Sequence, residues 1–130
     1  MRIAIKSLEI KKDKRGWLSE IIRAEDIGSK KFGQILLTVS NPGQTKGNHY
    51  HKRKTEWYCV LKGQGVLTII NRKTQEKQEI KTSEKNLVLI KIPVNHLHWI
   101  KNTGKNQMML LAYTDEVFNS KDPDTYENNL

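Results

Sequence analysis

The stretch from residue 43 to residue 63 constrains the fold more than any other, because it spaces two histidines and a glutamate between glycines in the pattern G-x5-H-x-H-x4-E-x6-G. The histidines are His49 and His51, and side chains two positions apart in a strand point to the same face. Glu56 opens the run EWYCVL, whose aromatic and β-branched residues are typical of a strand. After the intervening loop, its carboxylate can return to the histidine face. Two strands are therefore predicted to direct two imidazoles and a carboxylate at one point.

A second histidine pair, His96 and His98, lies in the segment PVNHLHWIKN and is again predicted to share one strand face. A single histidine is more often a hydrogen-bonded structural residue, but here all four histidines fall in two such pairs. Neutral imidazole and carboxylate ligands suit zinc, iron, nickel, copper and manganese, and do not suit calcium or magnesium. The sequence therefore predicts a divalent-metal or catalytic site made of His49, His51, Glu56 and His98.

The length and composition indicate one folded domain. With 130 residues, 36% of them hydrophobic and 28% charged, the chain is expected to form a single domain over residues 1–130, with a polar tail at about 117–130 that wraps or frays. No apolar run approaches the roughly 18 residues of a membrane helix, and the N-terminus lacks the apolar core of a secretory signal. The single cysteine, Cys59, is expected to be a buried packing residue in a reducing, cytoplasmic location.

The formal net charge of +9 and the pI near 9.7 are compatible with a nucleic acid or a small anionic ligand such as a nucleotide diphosphate. The lysines are spread over most of the chain, and the densest basic runs, at residues 11–15 and 52–54, are short. No helix-turn-helix, zinc-finger or RNP pattern accompanies them. Neither a nucleic acid nor a membrane is therefore expected as a partner.

Short alternating or apolar segments separated by turn residues indicate an all-β fold. No stretch longer than one turn favours an amphipathic helix; a charged turn is expected at residues 11–16 and a polar connection at residues 24–31. About nine or ten short strands are typical of a barrel or a double-sheet jelly roll. Besides the two histidine strands and the strand that begins at Glu56, the predicted strands lie at residues 2–10, 17–23, 32–40, 65–70, 78–81, 87–92 and 108–113.

The motif at residues 43–63 resembles the first motif of the cupins at every fixed position, and residues 93–102 resemble the second. In the second motif Asn95 and Leu87 stand where glycines are usual. Asparagine is the residue other than glycine that best tolerates a positive φ, so the turn at Asn95 is expected to survive. The resemblance implies an all-β cupin jelly-roll barrel, also called a double-stranded β-helix.

The flanking segments narrow the resemblance. Residues 14–23, 32–34, 42–51 and 122–126 are similar to the C-terminal cupin domain of bifunctional capsular-polysaccharide enzymes that process UDP-2-acetamido-2,6-dideoxy-hexos-4-uloses. In that family the cupin half epimerises C3 of the 4-keto sugar and binds zinc, and the reductase half is a separate nucleotide-binding domain. The resemblance implies a C3 epimerase that binds zinc and works with a separate reductase as its partner. Manganese, iron and nickel also suit these ligands.

A more distant resemblance links the chain to the dTDP-4-keto-sugar epimerases and ketoisomerases, whose catalytic histidine corresponds to His49, so ketoisomerisation stays open beside epimerisation. Proton abstraction beside a ketone needs a base, an acid and a positive group at the ketone oxygen. His49 serves either as base or as ligand, because a metal-bound imidazole has no lone pair left. His96 is a candidate acid or base, or else an exposed rim residue. Tyr58 is a candidate hydroxyl donor, or else an ordinary packing residue.

Candidates for binding the substrate diphosphate are Lys46, Arg23 and Arg53, each of which is also compatible with ordinary surface charge. Trp57 and Trp99 have strand parity opposite to the ligands and are expected to pack between sheets or at a dimer interface. A homodimer is expected by analogy with cupins of this size. Three other functions stay open: a non-catalytic cupin that binds a sugar or small metabolite, a metal-dependent dioxygenase, and a nucleic-acid binder.

Overall fold

The computed structural model describes residues 1–28 and 31–128, which form short strands and one single-turn helix. The helix α1 spans Ala24–Ile27, and no helix in the described ranges is long and apolar enough to cross a membrane. The strands are β1 (Ile5–Ser7), β2 (Lys11–Asp13), β3 (Gly16–Leu18), β4 (Gln34–Ser40), β5 (Thr45–Tyr50), β6 (Glu56–Lys62), β7 (Gln64–Asn71), β8 (Lys77–Ser83), β9 (Val88–Ile92), β10 (His96–Asn102), β11 (Met108–Thr114) and β12 (Tyr126–Glu127).

Most of these strands belong to two five-stranded antiparallel sheets. The first sheet has the order β1-β9-β6-β11-β4, and the second has the order β12-β5-β10-β7-β8. β2 and β3 form a separate two-stranded ribbon. Sheet neighbours are mostly far apart in sequence, as expected of a jelly roll. The predicted all-β, double-sheet jelly-roll architecture is confirmed.

The inner core is made of apolar side chains that alternate along the strands. Tyr58 and Val60 of β6 contribute to it, as do Leu67 and Ile69 of β7, and the last two have no exposed surface. Part of this core also forms a cavity wall, through Tyr58, Ile100, Leu110 and Ala112. This cavity is therefore an extension of the space between the two sheets.

The other face of the first sheet packs against the N-terminal segment. Trp57, Cys59 and Tyr113 form an outer cluster there with Leu87 and Leu89. The cluster is covered by Leu8, Ile10, Ile21, Ile22 and Ile27. Trp57 thus packs beneath the N-terminal segment. The prediction that it packs between the sheets is wrong. Cys59 is 1% exposed, which confirms its predicted packing role, and burial raises the pKa of its thiol to about 11.

The N-terminal segment differs from the predicted strand pattern. The strand predicted at residues 2–10 is reduced to Ile5–Ser7, and the turn predicted at residues 11–16 is the β2–β3 hairpin. The strand predicted at residues 17–23 ends at Leu18. The alternation of apolar and polar residues is weak in these segments. The lengths of their strands therefore depend on the sheet neighbours with which they pair in the folded chain.

Short-range side-chain contacts explain the hairpin and the helix that the prediction lacked. The Asp13 carboxylate accepts a hydrogen bond from the Arg15 N–H at 2.8 Å and closes the hairpin turn. The Asp26 carboxylate accepts a hydrogen bond from the Arg23 N–H at 2.7 Å and so completes the first turn of α1. The predicted polar connection at residues 24–31 therefore contains a helical turn.

The C-terminal segment folds back over β5. Tyr126 pairs with Tyr50 across the β12–β5 ladder, and their rings stack with centroids 5.3 Å apart. Lys52 lies over the Tyr126 ring at 4.4 Å and Arg72 over the Tyr50 ring at 3.7 Å, which extends the stack at both ends. The tail was predicted either to wrap or to fray. The segment up to residue 128 wraps over β5, and residues 129–130 lie outside the described part of the chain.

Candidate functional site

Strands from both sheets bring the predicted metal ligands together. His49 of β5 lies directly opposite His98 of β10, His51 follows β5 by one residue, and Glu56 begins β6 in the facing sheet. One ligand atom from each of these four residues lies within 4.8 Å of the others. Three of the four are buried and His49 is partly buried. The side chains can therefore act on a single ion or a single substrate group.

A β-bulge orients His49 relative to His98. β10 pairs His98 with His49 but pairs Trp99 with Gly47, so Asn48 is the extra residue in β5. Gly47 and Asn48 have positive φ angles of 96° and 67°. A Cβ on Gly47 would lie 3.1 Å from the carbonyl oxygen of His98, so the close approach of the two strands favours glycine there. The bulge brings His49 to the face that carries His98.

Hydrogen bonds on the far side of each ring hold His51 and His98. Nδ1 of His51 lies 2.7 Å from the Asp124 carbonyl oxygen, and Nδ1 of His98 lies 2.9 Å from the His96 carbonyl oxygen. A carbonyl oxygen accepts but cannot donate, so each Nδ1 carries a proton and each neutral ring keeps its lone pair on Nε2. The two Nε2 atoms are 2.6 Å and 2.9 Å from Glu56 Oε1. Metal-binding histidines have this arrangement.

The chemistry of the donor groups favours a cation at the centre. Lone pairs on two imidazoles and a carboxylate oxygen converge, and they repel one another unless a proton or a cation lies between them. Nε2 of His98 is buried and makes no hydrogen bond within the described residues, although Glu56 Oε1 is close, because the direction of approach is unsuitable. Imidazole nitrogens with one carboxylate suit zinc, iron, nickel or manganese. The residues present therefore fit a divalent metal of this group.

The protonation states agree with such a site. Burial raises the pKa of the Glu56 carboxyl, but protons held between it and the neighbouring His51 and His98 rings lower the pKa by more, and a cation in their place would act in the same direction, so Glu56 is ionised. Burial, assisted by repulsion from His98, lowers the pKa of His49 to about 4. The ring of His49 lies 4.9 Å from that of His51 and 5.0 Å from that of His98, and makes no hydrogen bond within the described residues. Neutral His49 therefore has a lone pair for a metal or for a proton.

A cavity of about 620 Å³ opens beside the centre. Its apolar wall comes from Leu36, Ile100, Leu110, Ala112 and Phe118. Its polar wall, apart from the ligands, comes from Gln34, Thr38, Lys46, Lys54, Thr114 and Thr125. This size and this mixture of apolar surface with a few polar groups are typical of small-molecule sites.

Two of the other candidate residues, Tyr58 and Lys46, line this cavity. The Tyr58 ring stands edge-on to the His98 ring with centroids 5.8 Å apart. Burial, and then the negative charge of Glu56, raises the pKa of the Tyr58 hydroxyl well above its usual value, so the hydroxyl keeps its proton. Lys46 is exposed and its ammonium donates a hydrogen bond to the Thr38 hydroxyl. Tyr58 can therefore donate a hydrogen bond inside the cavity, and Lys46 supplies positive charge at its solvent side.

The remaining candidates, His96, Arg53 and Arg23, do not line the cavity. His96 is the first residue of β10, and its Nδ1 donates to a nearby carbonyl oxygen at 2.8 Å. Arg53 pairs with two carboxylates at 2.9 and 3.2 Å, and Arg23 pairs with two others at 2.9 and 3.0 Å. Strand parity and charge do not reveal such partners. The contribution of His96 to the centre is its carbonyl group.

Sequence reasoning missed Asp124, which acts on the centre in two ways. Its carbonyl oxygen holds His51, and its carboxylate accepts hydrogen bonds at 3.0 Å from the N–H groups of residues 52, 53 and 54. Burial raises the pKa of the Asp124 carboxyl, but these backbone hydrogen bonds lower it by more. The dipeptide Pro-Asp signals a turn, but it carries no information about a partner 70 residues earlier in the chain.

Comparison with known proteins assigns the chain to a family. A sequence profile of the Polysaccharide biosynthesis C-terminal domain matches residues 11–126. The chain belongs to this family. It is 32% identical over 114 residues to the UDP-2-acetamido-2,6-beta-L-arabino-hexul-4-ose reductase of Pseudomonas aeruginosa, covering 88% of this chain and 29% of that protein. The capsular polysaccharide assembling protein CapF of Staphylococcus aureus is 33% identical, with a TM-score of 0.74 over 95% of this chain and 34% of that chain.

The chain spans about a third of the length of these two relatives, whose names describe larger proteins. At lower identity, the dTDP-6-deoxy-D-glucose-3,5-epimerase of Legionella pneumophila shares the fold. It is 17% identical, with a TM-score of 0.82 over 96% of this chain and 71% of that chain. The predicted resemblance to the C-terminal cupin domain of capsular-polysaccharide enzymes is thus confirmed.

Removal of one proposed ligand should release the metal. We expect His98→Ala to lower metal affinity by more than the roughly 10- to 100-fold that loss of a supporting residue causes. His96→Ala is the matched control, because it keeps the carbonyl group that holds His98 and should keep the metal. Plasma mass spectrometry of the dialysed proteins measures the metal content. Equal metal content in the two variants would contradict the assignment of His98 as a ligand.

The Asp124 carboxylate should stabilise the fold in a pH-dependent way. Asp124→Asn is expected to lower the free energy of unfolding by about 1–3 kcal/mol, because an amide is a weaker acceptor for three N–H groups. The folded-state pKa lies below the usual value, so the stabilisation is present above about pH 4 and is lost as the pH falls through the folded pKa. Urea denaturation of variant and wild type should show a difference that shrinks below about pH 4.

The control is Asp122→Asn, because Asp122 has a side chain that is 63% exposed and makes a surface ion pair with Arg53. It should change the free energy of unfolding by less than about 1 kcal/mol. A difference between Asp124→Asn and wild type that stays constant across the acidic range would refute the role given to the carboxylate.

Proposed function

We propose that the chain is a nucleotide-sugar epimerase that removes the proton at C3, beside the ketone of a UDP-2-acetamido-2,6-dideoxy-hexos-4-ulose. Residues 1–130 would act as one catalytic domain in cytoplasmic synthesis of a surface polysaccharide, with a separate reductase using the product. The observation that carries this proposal is the neutral His49 imidazole, which lines a cavity beside a buried histidine–glutamate centre. Its support includes the relative from Pseudomonas aeruginosa, whose name specifies a UDP-linked hexul-4-ose.

The proposed reaction is a reversible proton transfer. A hydrogen next to a ketone is acidic because its loss gives an enolate, provided that the negative charge on oxygen is stabilised. His49 takes the C3 proton, and return of a proton to the opposite face of C3 inverts that carbon. The Tyr58 hydroxyl, which keeps its proton and lines the same cavity, is the proposed donor for the return step. The apolar wall keeps water away from the enolate.

His49 suits the role of base better than the other imidazoles at the centre. His51 and His98 are each fixed through Nδ1 by a carbonyl group and direct Nε2 at Glu56. We therefore propose that these two histidines and Glu56 hold the metal, with zinc preferred by family resemblance. When bound there, the ion would supply Lewis-acid polarisation of the ketone. His49 then keeps its lone pair for the substrate proton.

We further propose that two copies of the chain pair through β4. This strand is at the edge of the first sheet, and its side chains Ile35, Leu37 and Val39 are 54%, 59% and 39% exposed. An edge strand with apolar side chains readily pairs with another strand. Antiparallel pairing of β4 with its own copy gives a closed two-fold contact. A second copy would cover these side chains and continue the sheet.

The epimerase proposal predicts exchange of one carbon-bound hydrogen. In D2O, the protein should remove the C3 proton signal of the UDP-4-keto sugar, as followed by proton NMR. His49→Asn should slow the exchange by about 10²- to 10⁴-fold, the usual contribution of a general base, while keeping the metal content of the wild type. Loss of metal from His49→Asn would instead identify His49 as a ligand.

Heat-treated protein is the control for spontaneous exchange. Coupling constants of the product distinguish a C3 epimer from a 3-keto isomer. Absence of exchange with this sugar and with its dTDP-glucose-derived counterpart would refute the enzymatic proposal. A cupin that binds a sugar or small metabolite without reaction would then be the better description.

The dimer proposal predicts a molecular mass twice that of the 15.1 kDa chain in size-exclusion chromatography with light scattering. Leu37→Lys should give monomers, because it introduces a charge at the centre of the proposed contact. Leu18→Lys is the matched control, since Leu18 is 57% exposed and lies on β3, outside both sheets. A monomeric wild type, or a dimer that persists in Leu37→Lys, would contradict pairing through β4.

A further inference from the structure

Lys54 is a buried lysine that has no acidic ion-pair partner within the described residues. It lies in the loop between β5 and β6 and is 7% exposed. Its Nζ donates a hydrogen bond to the Pro123 carbonyl oxygen at 3.3 Å and lies 5.7 Å from the centroid of the Phe118 ring. Both of these groups are neutral. A lysine is rarely buried to this extent without a charged partner, because the ammonium loses its hydration.

Lys54 lines the cavity beside the histidine–glutamate centre. Lys54 and Lys46 both line this cavity, but Lys46 is exposed and donates to the Thr38 hydroxyl. His49 lines the same cavity, so the buried lysine and the proposed base border one substrate space.

The loop that carries Lys54 is held in place by two carboxylates that bind its backbone. Asp124 accepts hydrogen bonds from the N–H groups of residues 52, 53 and 54, and Asp115 accepts one from the Thr55 N–H at 2.9 Å. These carboxylates are thus directed at main-chain groups. A positive group that is already in position before the substrate binds stabilises a developing negative charge without a cost of reorganisation.

We propose that Lys54 binds the C4 ketone oxygen of the substrate and stabilises the negative charge that develops on it. This inference rests on the proposed function and assigns a residue to the charge-stabilising role, in addition to any metal. The burial of Lys54 favours this role over binding of the diphosphate, which is strongly hydrated and suits the exposed Lys46.

The step balances without any further reactant. The C3–H bond breaks and its proton passes to His49. The electron pair of that bond forms the C3–C4 double bond, and the π pair of the C4 carbonyl moves onto the oxygen beside the Lys54 ammonium. The Tyr58 hydroxyl protonates C3 on the opposite face, which reverses these electron movements and regenerates the ketone, and proton exchange with water returns His49 and Tyr58 to their starting states. Lys54 takes no part in the proton transfer and acts by charge and hydrogen bonding.

The first test compares kcat and KM of Lys54→Met with those of the wild type in the deuterium-exchange reaction. Loss of one hydrogen-bond donor to an oxyanion typically lowers kcat by about 10²- to 10³-fold, and we expect that loss with a KM that changes little. The matched control is Lys62→Met, which removes the same charge from an exposed position at the other end of β6. It should leave both constants unchanged.

The second test needs no turnover. Tropolone, a planar hydroxyketone whose anion resembles an enolate, is titrated against zinc-loaded protein by its absorption spectrum, with the zinc content checked afterwards. Lys54→Met should bind tropolone at least tenfold more weakly than wild type, and Lys62→Met should bind it equally well. If Lys54→Met does not fold, Lys54→Gln replaces it, because the amide keeps a donor for the Pro123 carbonyl group without the charge.

The outcomes separate this inference from the proposed function. If wild type fails to exchange the C3 proton but binds tropolone in a Lys54-dependent way, the epimerase proposal fails and the oxyanion site stands. If Lys54→Met keeps its kcat, or binds tropolone as tightly as wild type, the inference is overturned. A raised KM with unchanged kcat also overturns it, because that result indicates ground-state binding of another anionic group.

Discussion

The buried Glu56 carboxylate is the group on which the rest of the site depends. A carboxylate this far from solvent is tolerated only where cations or hydrogen-bond donors surround it. His51 and His98 reach it from the second sheet, while Glu56 itself begins a strand of the first sheet. The centre therefore joins the two sheets where the cavity lies between them. The same arrangement makes the site sensitive to any change in how the sheets pack.

Much of this arrangement was predictable because it follows from strand parity. The i, i+2 spacing places His49 and His51 on one side of the chain, and Glu56 returns to that side after a loop whose length is visible in the sequence. Parity likewise separated Trp57 and Cys59 from the ligand face, and both lie in the outer cluster. Properties set by the local alternation of a strand are recoverable from sequence, since neighbouring residues determine them.

The parts that were not predictable depend on partners distant in the chain or on very short local contacts. Nothing near Asp124 indicates that it accepts hydrogen bonds from the loop at residues 52–54, and nothing near Lys54 indicates its burial. Arg23 was a reasonable anion-binding candidate by charge, but it pairs with neighbouring carboxylates next to α1. Charge in a sequence gives the number of cations, and only the fold decides which of them are already neutralised.

The C-terminal segment connects these observations. Its carbonyl groups hold His51 and Lys54, its Asp124 carboxylate fixes the loop between β5 and β6, and Phe118 and Thr125 complete the cavity wall. The β strands supply the candidate metal ligands and the residues proposed to move a proton, whereas this segment orders the buried Lys54 side chain. A divalent ion bound here would add two positive charges to a centre whose Glu56 carboxylate supplies one negative charge. The cavity is therefore electrostatically suited to an anion such as an enolate, and the segment that closes it helps to create that preference.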